Sequence, residues 1–108
     1  MGGEIHALLI NRSQLNPIYQ TRVYYVNEKM QLQEACWTDG FNENKWYRGA
    51  LNTLKLKATA DSLLTAAVDD HFMKVFYVRD DGDGPELWVA WVVTGEEAWS
   101  TRGPVATF

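Results

Sequence analysis

The sequence predicts an all-β fold written twice, and three observations carry that expectation. Thr21-Arg22-Val23-Tyr24-Tyr25-Val26 returns as Met73-Lys74-Val75-Phe76-Tyr77-Val78, Glu34-Ala35-Cys36-Trp37 as Trp88-Val89-Ala90-Trp91, and Lys45-Trp46-Tyr47 as Ala98-Trp99-Ser100, each 52 to 54 residues on in a chain of 108. A spacing near half the chain length marks one unit duplicated. The returning segments are rich in β-branched and aromatic residues, as pleated strands are. Turn-forming clusters separate them, above all Asp80-Asp81-Gly82-Asp83-Gly84-Pro85.

The elements follow in order. Ala7–Leu15 and its repeat partner Asp61–Asp69 are read as innermost strands. Asp61–Asp69 suits a helix on propensity alone, but Asn11, Arg12 and Ser13 in its partner support one poorly. Arg22–Val26 and Gln31–Trp37 form the middle strands of the first unit, joined at Asn27-Glu28-Lys29, and Trp46-Tyr47 is a short outer strand closing at Gly49. In the second unit Met73–Val78 and Glu86–Val93 pair across the Asp80–Pro85 turn, and Ala98-Trp99-Ser100 marks the outer strand. The whole is one domain, residues 1–108, with repeats at about 5–55 and about 58–108. Units of about 45 to 50 residues holding several short strands have the size of β-propeller blades, so two four-stranded blades are expected. Two blades cannot close a ring, so several copies of the chain are expected to assemble into a cyclic one.

Composition narrows the function. Hydrophobic residues make up 46% of the chain, enough for a packed core. A net charge of -4 disfavours nucleic acid or an anionic membrane as main partner, since both reward a basic surface. Cys36 is the only cysteine, which excludes a disulfide scaffold. No segment approaches the roughly 20 apolar residues of a membrane span. The first residues lack the basic and apolar regions of a signal peptide, so a soluble chain, cytoplasmic or exported by a non-signal route, is expected. Five Trp and five Tyr are an aromatic surplus that asks for a role beyond packing.

Taken together, Thr21-Arg22-Val23-Tyr24, Leu32-Gln33-Glu34-Ala35-Cys36-Trp37 and Trp46-Tyr47-Arg48-Gly49-Ala50-Leu51 resemble the repeat of the fucose-binding β-propeller lectins of fungi and bacteria. The first repeat carries the likeness over about 30 residues and the second only in outline. The resemblance implies a six-bladed ring, here from three two-repeat chains, binding L-fucose or fucosylated glycans between adjacent blades without metal or other cofactor. It implies that Arg22, Glu34 and Ala50 of the first repeat meet Trp91 and Trp99 of the second in one complete pocket. A second pocket, between chains, would use Lys74 and Trp88 with Trp37 and Trp46 of a neighbour. It departs from the pattern at every polar position, so it is expected to be weak or dead.

These residue types suit a deoxy sugar. Indole rings offer flat faces to its apolar side. A guanidinium donates convergent hydrogen bonds in fixed geometry, and a carboxylate accepts from two hydroxyls. Such charge-assisted bonds contribute about 1.5–3 kcal/mol each. Alanine at position 50 leaves room for the ring. Glu34 and Trp37, three apart on a strand, point to opposite faces and so can serve different pockets.

Plainer readings stand beside these. Arg22 and Glu34 also suit a cross-strand ion pair, and Trp91 and Trp99 suit a core. The Asp80–Gly84 cluster lacks the bidentate glutamate of a calcium loop and reads as a solvated hairpin turn. His6 and His71 have no metal-ligand spacing to Cys36, which reads as a buried thiol. Asn11-Arg12-Ser13 is a glycosylation sequon by pattern. The adjacent carboxylates Asp69-Asp70 and Glu96-Glu97 point apart on strands, and no catalytic constellation stands out, so no enzyme activity is expected. The rival function is an assembly or interaction module that kept the propeller and lost the sugar.

Overall fold

The structure, a computed structural model, describes residues 6–11, 19–38, 40, 43, 45–69 and 71–108. It is all-β, with two four-stranded antiparallel sheets whose strands lie in chain order. The first sheet holds β1 (His6–Asn11), β2 (Tyr19–Val26), β3 (Leu32–Thr38) and β4 (Tyr47–Arg48). The second holds β5 (Thr65–Val68), β6 (Phe72–Asp80), β7 (Pro85–Val93) and β8 (Ser100–Thr107). β1 runs beside β5. No helix among the described residues is long and apolar enough to cross a membrane.

Strict alternation builds the core. Along β2 and β3 the inner face is Gln20, Arg22, Tyr24 and Val26 with Leu32, Glu34, Cys36 and Thr38, all buried. Along β6 and β7 it includes Met73, Val75, Tyr77, Ala90 and Val92. Apolar members of both faces join Leu51, Ala58, Leu64 and Trp99 in one cluster.

The expected hairpin at Asp80–Pro85 is present. Asp80 carries the turn, its side chain accepting from the N–H groups of Gly82 and Gly84 at 2.8 and 3.2 Å. The inner strands are shorter than the sequence suggested. Of Ala7–Leu15, residues 7–11 are in β1 and the rest lies outside the described residues. Of Asp61–Asp69, only Thr65–Val68 is strand, because Ser62 closes a turn onto Thr59 and donates its amide there.

Register corrects the alignment of the two repeats. Tyr24 lies opposite Glu34 and Arg22 opposite Cys36, while Tyr77 lies opposite Trp88 and Val75 opposite Ala90. The counterpart of Arg22 is therefore Val75, not Lys74. A one-residue slip sends a side chain to the other face, and Lys74 pairs with Trp91 on the outer side of the second sheet. Glu34 still corresponds to Trp88, and Gly49 corresponds to Gly103. Both sheets thus turn the equivalent face of the repeat into the core.

The segment between the sheets is tied to each of them. Leu32 donates its amide to the Leu56 carbonyl and Ala58 to the Met30 carbonyl, at 2.8 and 3.0 Å. Thr59 donates to the Val78 carbonyl at 2.9 Å, and Val78 in turn donates to the Ser62 hydroxyl at 2.8 Å.

Candidate functional site

Neighbouring positions on β2 and β3 bring five polar side chains, Gln20, Arg22, Tyr24, Glu34 and Thr38, into the inner face. Arg22 and Tyr24, two apart on β2, share one side, and Glu34 faces them from β3. Glu34 Oε2 accepts from Arg22 Nη1 and from the Tyr24 hydroxyl, both at 2.8 Å. Arg22 Nε and Nη2 both donate to Gln20 Oε1, at 3.2 and 3.0 Å. Gln20 Nε2 donates to the Thr38 hydroxyl at 3.0 Å, and Thr38 exchanges a 2.7 Å hydrogen bond with the Tyr47 hydroxyl. The Glu34 backbone is held from the loop side, its N–H donating to Asn52 Oδ1 at 2.6 Å and its carbonyl accepting from Gly49 at 2.9 Å.

The pair is shut off from solvent: the side chains of Arg22 and Glu34 are 9% and 0% exposed. Burial by itself lowers the Arg22 pKa, but the charge and hydrogen bond of Glu34 prevail and hold it above the ordinary value. Burial, then the negative charge of Glu34, pushes the Tyr24 hydroxyl strongly upward. The same causes raise the Cys36 thiol from 9.0 to about 12. A thiol kept protonated by the fold stabilises it below the unfolded pKa, and that contribution fades as pH rises towards the folded one. Cys36 is accordingly expected to resist a disulfide reagent at pH 8 in the native chain and to react at once in urea.

Trp99 completes the cluster from the second sheet. Its ring meets Tyr24 edge-on, with centroids 6.1 Å apart and planes at 73°. Two buried polar atoms here lack a protein partner, Glu34 Oε1 and Trp99 Nε1. One is an acceptor and the other a donor, on residues that both touch Tyr24. Glu34 Oε1 lies against Gly49, where a Cβ would overlap the carboxylate. Ala50 follows directly, opening a short 3-10 helix (Ala50–Leu54) and packing on the core. Gly49→Ala is therefore expected to displace the carboxylate and cost about 1–3 kcal/mol, read from the urea midpoint.

The structure thus brings Arg22, Glu34, Ala50 and Trp99 to one region and leaves Trp91 out. Trp91 sits on the outer face of the second sheet, its ring edge-on to Phe72 at 5.8 Å. Trp99 enters the inner side because it precedes β8 at a position of the same parity as Thr101, whose hydroxyl bonds the buried Tyr77 hydroxyl at 2.9 Å. The residues of the second pocket also separate. Lys74 is on the outer face and exposed, whereas Trp88 is opposite Tyr77, under the Arg79 guanidinium at 4.5 Å and donating to Glu86 at 3.0 Å. Trp37 and Trp46 do meet, with ring centroids 5.6 Å apart on the outer side of the first sheet.

Sequence reasoning missed Gln20, Tyr24, Gly49 and Asn52 as members of the cluster. The signal for Tyr24 and Gln20 was their two-residue spacing from Arg22. Asn52 gave none, since its contact with Glu34 is set by the turn after β4. Comparison with known families, curated proteins and solved structures gives no match.

Proposed function

We propose that the chain is a non-catalytic carbohydrate-binding protein of fucose type, with Arg22, Glu34, Ala50 and Trp99 as its sugar-contacting residues. The observation that carries the reading is the pair of orphaned polar atoms, Glu34 Oε1 and Trp99 Nε1, within a cluster that also holds a guanidinium and an indole. A sugar hydroxyl is both donor and acceptor and satisfies either atom. Trp99 supplies the apolar wall, and a sugar that reaches both atoms has to part the buried cluster around Tyr24. No metal takes part in this reading.

L-fucose titration, followed by tryptophan fluorescence and by NMR of the Trp99 indole, tests it. Saturable binding at about millimolar Kd is expected, as few ligand atoms contribute. Arg22→Ala and the milder Ala50→Val are each expected to abolish it. A flat titration with an intact fold overturns the proposal.

A second reading, an interaction module without sugar binding, is favoured by the mutual pairing and burial of Arg22 and Glu34. The lectin reading carries with it a six-bladed ring of three chains. Light scattering separates the cases: a mass of three chains supports the ring, and a mass of one chain opposes it.

A further inference from the structure

We infer that the outer face of the second sheet carries a separate binding site for a small ring-bearing carboxylate. Alternation sets Phe72, Lys74 and Phe76 of β6 beside Val89 and Trp91 of β7, with Arg102 of β8 opposite Val89. Together with residues 103–105 they line a cleft of about 610 Å³. That volume lies within the usual range of small-molecule sites, about 300–1,000 Å³.

The lining has two kinds of chemistry. Phe72 and Trp91 give flat apolar surface at right angles, their planes 79° apart. Lys74 Nζ stands 5.7 Å over the Phe72 ring, and Arg102 enters from the next strand but one. Among the described residues neither cation has an ion-pair partner, and no acidic side chain lines the cleft. Asp69, on the β5–β6 turn outside the cleft lining, accepts from the amides of His71 and Phe72 at 2.7 and 2.8 Å and also feels the charge of Lys74.

Two cations outside any described salt bridge, both lining an aromatic surface, run against a chain of net charge -4. No Ser, Thr, Asn or Gln side chain lines the cleft to read a neutral ligand's hydroxyls. Recognition therefore rests on ring contact and charge. Arg102 presents a fork that matches a carboxylate, with Lys74 as a second point charge. A uronic sugar and an aromatic acid share this chemistry. The site is independent of the Arg22–Glu34 reading and uses none of its residues.

The test follows the Trp91 indole N–H by NMR in the intact chain during titration with glucuronate against glucose, and with benzoate against benzyl alcohol. Saturable shifts from at least one carboxylate are expected, with its neutral counterpart weaker by roughly tenfold or more, the size of one charge-assisted hydrogen bond. Lys74→Ala and Arg102→Ala, both at exposed positions, are each expected to weaken that binding while leaving any L-fucose response at Trp99 unchanged. Added salt weakens it further. Which carboxylate binds identifies the ring. Equal binding of neutral and charged partners, no response to either acid, or an unchanged affinity in the Lys74/Arg102 double variant would overturn the assignment, whatever the fucose titration shows.

Discussion

Replacing Arg22 with Met lowers folding stability by about 3–5 kcal/mol, the size expected when one partner of a buried ion pair is removed. The loss comes from what stays behind. Glu34 keeps its burial and its bond from Tyr24 but loses the guanidinium, and Gln20 Oε1 loses two donors. Denaturation in urea measures it, with the slope unchanged. Adding Glu34→Leu to Arg22→Met is expected to recover much of the loss, since apolar residues of similar size often replace a buried pair at little cost. The double variant also divides stability from recognition: it folds and binds no fucose if the cluster is a sugar site. Fucose binding by that well-folded double variant would remove Arg22 and Glu34 from the site.

Trp99→Ala is expected to cost a similar amount, about 3–5 kcal/mol, as for other buried aromatic truncations. Trp99 is 7% exposed and packs edge-on against a fully buried Tyr24, so its removal opens a cavity beside that ring. Trp99→Phe is expected to retain most of the stability while losing the indole N–H. In urea melts the two variants therefore separate widely, and in fucose titrations both are expected to lose affinity. Equal stability for alanine and phenylalanine would show that Trp99 contributes no core packing.

The middle strands of the first sheet were legible because buried and outer positions alternate along them, as in Leu32–Thr38, whereas β7 breaks the alternation at Val89-Ala90. The hairpin at Asp80 was legible because aspartate and glycine do there what the backbone needs. What the sequence concealed was register. Lys74 resembles Arg22 in charge and in its place before Val75, yet pairing sets Val75 opposite Ala90 and turns Lys74 outward. Identity aligns the repeats at one offset and hydrogen bonding at another, by a single residue. The same parity divides Trp91 from Trp99. At the site, Arg22 with Glu34 was readable as a cross-strand pair. The clamp from Asn52 was not, because it depends on a loop path that no period encodes.

The hydrogen bonds from the 56–62 segment to Met30 and Leu32 on one side and to Val78 on the other bear on how the molecule comes apart. A protease cut in that connection would not liberate two autonomous halves. Each half would forfeit backbone partners and part of a shared apolar cover, Leu51 from the first repeat and Ala58 and Leu64 from the second. The duplicated unit has become a subunit of its own twin, and the chain is expected to melt in a single transition by circular dichroism.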